Sequence, residues 1–165
     1  MTVNFKLLRN AVATTNAVSK QAVLEVLAAR FADAYGLDPS AVLDGLEERE
    51  RLGSTGFGRS VAIPHARLEG IEYPVAALLK LDSPVDFDAA DGMPVDLVIG
   101  LLSPASAGAG HLHALAAISR MARDEITHDA LVQAADSEAL FATLTNLGEN
   151  IIANDNLNGA KCETA

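Results

Sequence analysis

The chain has 165 residues, a mass of 17.2 kDa and a formal net charge of −10. This is the size of one domain with a full core, and the charge disfavours nucleic acid or anionic lipid as a partner. The single cysteine, Cys162, excludes an intrachain disulfide and a cysteine-based metal cluster. The N-terminus lacks a signal-peptide pattern and the longest apolar run, Val98–Leu102, is too short to span a membrane, so we expect a cytoplasmic protein without membrane insertion.

Two helices are predicted near the N-terminus. Ser19 precedes apolar residues at fourfold spacing, and Gly36 follows them, so this segment has an N-cap and a glycine stop. Asp38 then offers a capping side chain, and Pro39 fits the first helical position of a second helix that runs toward Gly53.

The middle of the chain has the pattern of strands joined by turns. Gly53–Gly58 is rich in turn residues, and Val61–His65 alternates like a short strand. Val75–Leu81 is predicted as a further strand. Val95–Leu102 is almost continuously apolar, which predicts a central strand covered on both faces.

The C-terminal part is predicted to be helical. Ser103–Gly110 contains only small residues and proline, after which a helix is expected to open at His111 and run to Ala122. Two more helices are predicted at about Glu125–Ala135 and Ser137–Leu147. We expect residues 1–148 to form one α/β (α+β) domain, with helices on a mixed sheet, and residues 149–165 to be a polar, flexible tail.

His65 is the first candidate for chemistry, because it follows Pro64 at the end of an apolar strand and comes after a glycine-rich loop. In the alternation of the strand, His65 has the same position as Val61 and Ile63. A core histidine satisfied by a hydrogen bond explains this local pattern equally well. A functional role therefore needs a second observation.

His111 supplies that observation, because it stands at the predicted start of a helix, where N–H groups and the helix dipole favour a phosphoryl group. A neutral imidazole can attack phosphorus while a second imidazole holds the oxygens. Metal binding by His111 and His113 is the competing interpretation, but residues two apart on a helix point in different directions. We expect no metal and no cofactor, and we assign His113 and His128 to surface or packing positions.

Two neighbouring motifs have simpler explanations. The Gly53–Gly58 loop lacks the lysine of a nucleotide-binding P-loop and precedes a strand, so nucleotide binding is disfavoured. The charged run Glu47–Arg51 has the composition of a solvated helix end, although Arg49 or Arg51 has the length to reach a phosphate.

Three segments together resemble the fructose/mannitol-type enzyme IIA family of the bacterial phosphotransferase system. Arg49–Arg67 resembles its active-site signature, Pro84–Leu97 contains two further matches, and His111–Ala116 resembles its second histidine motif. The chain has neither a permease segment nor an appended enzyme IIB domain. Together with its Arg-Glu-Arg-Leu-Gly-Ser-Thr-Gly stretch, this looks most like the nitrogen-regulatory branch.

The resemblance implies a phosphotransferase component in which His65 accepts a phosphoryl group, as tele-phosphohistidine, from a histidine phosphocarrier protein (HPr-like). It also implies that His111 stabilises the phosphoryl group and that Arg49 supports the site. The phosphorylation state would then control regulatory target proteins. The alternatives are onward transfer to an enzyme IIB in sugar transport, and a binding module that is not phosphorylated. Relatives usually have glycine after the active histidine, where this chain has Ala66, which matters if that backbone needs positive φ.

Overall fold

The computed structural model describes residues 5–147 and 151–153 of the chain. These residues form one domain of seven strands and five helices. The elements, in chain order, are β1 (Phe5–Thr15), α1 (Lys20–Tyr35), α2 (Pro39–Arg51), β2 (Gly56–Gly58), β3 (Val61–Ala62), β4 (His65–Leu68), β5 (Val75–Val85), β6 (Val95–Pro104), α3 (Gly108–Arg123), α4 (Glu125–Gln133), α5 (Ser137–Leu147) and β7 (Ile151–Ala153). No helix among the described residues is both long and apolar enough to cross a membrane.

The sheet is mixed, with the strand order β2-β3-β6-β5-β1-β7 and with β4 also paired to β6. β5 runs antiparallel to β6, whereas β3 and β4 run parallel to it. β1 lies parallel to β5 and to β7. In β6 every residue except Asp96 is buried, which confirms the predicted central strand.

The two predicted N-terminal helices have the expected caps. The Ser19 hydroxyl accepts a hydrogen bond from the Ala22 N–H at 3.1 Å, and Gly36 ends α1 with φ of 68°. The Asp38 carboxylate accepts from the Ser40 N–H at 3.2 Å, directly before α2. Local side-chain chemistry therefore sets where both helices begin.

Helices cover both faces of the sheet. A Cβ on Gly100 would lie 2.8 Å from the Phe31 ring, so α1 covers that face of β6. Ser103 contacts His111 of α3. Side chains alternate along a strand, so Gly100 and Ser103 point to opposite faces. The mixed sheet lies between helical layers, which confirms the predicted fold class.

The strand β1 is an element that the sequence analysis did not predict. Its buried residues do not alternate regularly: Phe5 and Leu7 are buried two positions apart, whereas Ala11 and Val12 are buried side by side. The pairing with β5 shifts register between Leu7 and Val12. A bulge in this position breaks the alternation by which a strand is recognised.

The predicted strand Val61–His65 is divided into β3 and β4. Ala62 pairs with Val98 and His65 pairs with Leu101, so both strands keep one register on β6. Pro64 has no N–H to donate to a sheet, and this explains the gap. His65 therefore begins a strand, whereas the prediction placed it at a strand's end.

The predicted loop Gly53–Gly58 is also partly a strand. Gly56–Gly58 forms β2, which pairs antiparallel with β3. The reversal between them is made by Arg59 and Ser60, with φ of 57° and 67°. Arginine and serine are uncommon in this conformation, so composition did not reveal the turn.

The remaining differences concern the C-terminal part. Helix α3 begins at Gly108, three residues before the predicted start at His111. Within the expected tail, Ile151–Ala153 pairs with Phe5–Leu7 as β7. The other tail residues, Cys162 among them, lie outside the described part of the chain, and the boundary at residue 148 stays a prediction.

Candidate functional site

The site lies where the two helical layers meet beside β4. His65 pairs with Leu101 and therefore shares the face of Ser103, which α3 covers. Ala66 points the other way, where a Cβ on Gly45 of α2 would lie 3.4 Å from its methyl group. The end of α2 and the start of α3 thus approach His65 from opposite faces of the sheet.

The His65 ring is held by the backbone of its own segment. Its Nδ1 lies 2.8 Å from the carbonyl oxygen of Ile63. A carbonyl can only accept, so Nδ1 must carry the hydrogen. A neutral His65 therefore has its lone pair on Nε2. This is the nitrogen that becomes phosphorylated in a tele-phosphohistidine.

Arg49 reaches this nitrogen from the last turn of α2. Its Nε donates to His65 Nε2 at 3.3 Å, and its Nη1 donates to the Gly53 carbonyl at 2.8 Å. A guanidinium has five N–H donors. Those not engaged in these two bonds have no other acceptor among the described residues. The guanidinium is thus fixed beside Nε2 with donors to spare.

His111 faces His65 from α3. The two ring centroids are 5.6 Å apart, with planes inclined by 45°. His111 is 6% exposed, and its Nδ1 lies 2.7 Å from the Ser103 hydroxyl oxygen. Because α3 begins early, the His111 N–H bonds the Ala107 carbonyl at 2.9 Å. The contribution of His111 is therefore its ring and not a free N–H at the helix start.

Both rings are kept neutral by their surroundings. Burial lowers the pKa of His65 below 6.5; the charge of Arg49 acts in the same direction, against the Ile63 carbonyl and Glu50. Burial, followed by repulsion from the His65 ring whenever that ring is protonated, lowers the pKa of His111 to about 4. Two uncharged imidazoles near a cationic guanidinium form a site suited to a nucleophile and an anionic group.

Glu50 belongs to the same cluster, although the sequence analysis overlooked it. It is 9% exposed, and its carboxylate accepts from the Thr55 N–H at 2.9 Å and the Thr55 hydroxyl at 2.6 Å. Lys20 forms an ion pair with it at 2.8 Å. Glu50 therefore ties the glycine-rich loop to the end of α2, next to Arg49.

The interpretation of Glu47–Arg51 as a solvated helix end is thus wrong for Glu50, whereas Arg51 is exposed. A signal for Glu50 was present. Val42 and Leu46 precede it at fourfold spacing and are buried, which puts all three on one helical face. Ser103 has no comparable signal in the sequence, because its contact is with His111, a residue of another element.

The part of the chain that the structure describes groups no metal ligands around the histidines. Among the described residues, no three His, Cys, Asp or Glu side chains converge in the way that a metal would require. His113 is exposed, and His128 pairs with Asp96 at 3.0 Å. The glycine-rich loop leads into β2 and β3 and not into a helix, so it lacks the geometry of a P-loop.

Ala66 fits without strain. Positive φ among the non-glycine residues described occurs only at Arg59, Ser60 and Asp88. The Ala66 side chain is buried against α2, beside Gly45. The His65–Ala66 segment therefore keeps an ordinary strand backbone, and the Ala66 methyl group packs against α2.

Comparison with known proteins places this chain and its fold in one class. The family described as phosphoenolpyruvate-dependent sugar phosphotransferase system, EIIA 2, matches residues 7–147. The chain therefore belongs to this family of enzyme IIA phosphotransferase components, as the resemblance predicts. A nitrogen regulatory protein of Bradyrhizobium diazoefficiens is 44% identical over 126 residues, which cover 76% of this chain and 82% of that protein.

Solved structures show the same likeness. The nitrogen regulatory protein IIA-Ntr of Neisseria meningitidis superposes with a TM-score of 0.77 at 32% identity, covering 84% of this chain and 95% of that one. The mannitol IIA of Escherichia coli has a TM-score of 0.68 at 18% identity, covering 82% and 96%. The likeness to the mannitol IIA shows the shared fold, and the likeness to IIA-Ntr adds the nitrogen-regulatory branch.

Proposed function

We propose that this protein carries a phosphoryl group on Nε2 of His65, received from a histidine phosphocarrier protein, and controls target proteins through its phosphorylation state. The observation that supports this most is the bond from His65 Nδ1–H to the Ile63 carbonyl. It leaves the Nε2 lone pair beside Arg49 and His111. The 44% identity to a nitrogen regulatory protein supports the regulatory role.

The reaction is a displacement at phosphorus. The lone pair on His65 Nε2 forms the new N–P bond while the N–P bond of the donor phosphohistidine breaks, and the donor ring recovers its lone pair. The Nδ1 hydrogen stays on His65. The ring gains a positive charge as the N–P bond forms, and the hydrogen bond from Nδ1–H to the Ile63 carbonyl stabilises that charge. No proton has to leave the nucleophile, because the neutral ring already has a free pair.

Arg49 and His111 act on the group that His65 receives. Phosphorylation of Nε2 removes the acceptor of the Arg49 Nε–H, so the guanidinium turns its donors to the phosphoryl oxygens. The His111 ring lies 5.6 Å from the His65 ring, centroid to centroid, near enough to donate a further hydrogen bond to a phosphoryl oxygen. These donors neutralise charge that is spread over the oxygens in the transition state.

Phosphorylation gives this protein a simple means of regulation. It adds about two negative charges and several acceptor oxygens at one place on the surface. Exposed apolar side chains adjoin the site: Leu52 follows the end of α2 and is 84% exposed, and Leu112 follows His111 and is 61% exposed. A protein that contacts these side chains meets the phosphoryl group as well, so its binding depends on the modification.

The test is reconstitution with phosphoenolpyruvate, enzyme I and the phosphocarrier. We expect one acid-labile, base-stable phosphoryl group by mass spectrometry, and its loss in His65→Ala. His113→Ala is the matched control, because it removes an exposed histidine near the site, and it should be modified like the wild type. A phosphoryl group that persists in His65→Ala would sink the proposal, and so would an unmodified wild type.

A second reconstitution separates regulation from sugar transport. The phosphorylated protein is mixed with an enzyme IIB of the fructose or mannitol type, and the label on each protein is followed. We expect the phosphoryl group to remain on His65. We also expect the phosphorylated and unphosphorylated forms of the protein to bind different partner proteins. Rapid, complete transfer to the enzyme IIB favours the transport alternative.

A further inference from the structure

Ser103 is a buried polar residue that no part of the mechanism above uses. It lies near the end of β6 with 0% of its surface exposed. Its hydroxyl oxygen is 2.7 Å from His111 Nδ1, and the described residues offer the hydroxyl no other partner. We propose that Ser103 is a positioning residue, whose O–H donates to His111 Nδ1 and thereby keeps a hydrogen on His111 Nε2.

The direction of this bond follows from what each atom can do. A serine hydroxyl has one hydrogen, and in a buried place that hydrogen must find an acceptor. The available acceptor is His111 Nδ1. If His111 donated instead, the hydroxyl hydrogen would be buried without a partner. The lone pair of His111 is therefore on Nδ1, and the hydrogen of the neutral ring is on Nε2.

The two histidines then hold opposite tautomers. The Ile63 carbonyl puts the hydrogen of His65 on Nδ1, and Ser103 puts the hydrogen of His111 on Nε2. One ring offers a lone pair for bond formation and the other offers an N–H for a phosphoryl oxygen. This extension rests on the proposed function, since it specifies how His111 holds the group carried by His65.

The tautomer can be measured before any phosphoryl group is added. In protein labelled with 15N-histidine, long-range 15N–1H correlation spectra at neutral pH distinguish a ring nitrogen with a hydrogen from one with a lone pair. We expect His111 to have its hydrogen on Nε2, and a hydrogen on Nδ1 would overturn the inference. Because this experiment uses the wild type, it stands even if a Ser103 variant fails to fold.

Kinetics test the consequence for the phosphoryl group. In Ser103→Ala, His65 should still be phosphorylated, but its phosphoryl group should be lost to water about fivefold faster, the effect of one hydrogen bond of about 1 kcal/mol. The His111 ring should also show a mixture of tautomers. Ser106→Ala makes the same chemical change at an exposed serine between β6 and α3 and should behave like the wild type.

A double variant shows whether Ser103 acts through His111. In a His111→Ala background, adding Ser103→Ala should cause no further change in the rate of phosphoryl loss. A further acceleration there would mean a general structural role and would overturn the inference. Failure of this inference is distinct from failure of the proposed function, because in the latter case the wild type itself takes up no phosphoryl group.

Discussion

At the scale of single residues, the pKa of His65 depends on two neighbours with opposite effects. The Ile63 carbonyl holds the Nδ1 hydrogen and favours a protonated ring, whereas the guanidinium of Arg49 opposes it. Burial adds to the effect of Arg49 and is the larger cause. The pKa of His65 is thereby lowered below 6.5, so that at neutral pH Nε2, the nitrogen proposed to receive the phosphoryl group, is mostly unprotonated.

Arg49→Gln should therefore raise the pKa of His65 relative to the wild type, because it removes the positive charge beside Nε2. The measurement is an NMR titration of the His65 ring in both unphosphorylated proteins. In the wild type the midpoint should lie below 6.5. A midpoint that is unchanged or falls in Arg49→Gln would contradict the electrostatic role of this residue.

The histidine motifs show what could be inferred from the sequence. Position and spacing indicate His65 and His111, the family resemblance adds Arg49, and the structure brings all three together. Glu50 was missed because a mixed charge run does not show which member points inward unless its helical face is followed back to Leu46. Ser103 was missed because its partner is a residue of another element.

At the scale of elements, the close contact between α1 and β6 depends on one glycine. A Cβ on Gly100 would lie 2.8 Å from Phe31 and 2.9 Å from Leu27. Both of these side chains are fully buried, so neither has room to turn away. Gly100 thus sets the distance at which α1 lies on the central strand.

Gly100→Ala should destabilise the protein by about 1–3 kcal/mol, the usual cost of overpacking a core. The measurement is the free energy of unfolding in urea. Gly108→Ala is the matched control, because a Cβ there meets nothing within 4 Å, and its effect should stay within about 0.5 kcal/mol. Equal stability of the two variants would contradict the tight packing at Gly100.

Elements were predictable to the extent that each has a regular pattern. The predicted caps at Ser19 and Asp38 and the predicted central strand β6 are confirmed, because these signals are local. β1 was not, because its bulge changes the side of the strand on which apolar residues lie. The break at Pro64 was visible in the sequence, but the continued register on β6 was not.

At the scale of the whole molecule, the neutral histidines of the site link folding to pH. The pKa of His111 is about 4 in the folded protein and 6.5 in an ordinary environment. Between these pH values His111 is protonated in the unfolded chain but not in the folded protein. The free energy of unfolding therefore rises with pH across this window and falls as the pH is lowered. His65 acts in the same direction.

Acidification from about pH 7 to about pH 5 should therefore lower the free energy of unfolding, with about 2 kcal/mol of the loss arising from His111. His111→Asn removes this titration, so its loss over the same interval should be smaller by that amount. Urea unfolding of both proteins at the two pH values measures the difference. Parallel losses would mean that His111 is not held neutral by the fold.

The division of one extended run into β3 and β4 has a consequence for how this site can change by mutation. The break at Ile63 and Pro64 leaves the Ile63 carbonyl available to His65. That atom belongs to the main chain, so replacing the Ile63 side chain does not delete it. Ser103, by contrast, holds His111 through a side chain that a single nucleotide change can remove. Sequence drift can thus loosen the contact that orients the His111 ring, while the hydrogen bond that orients the His65 ring stays in place.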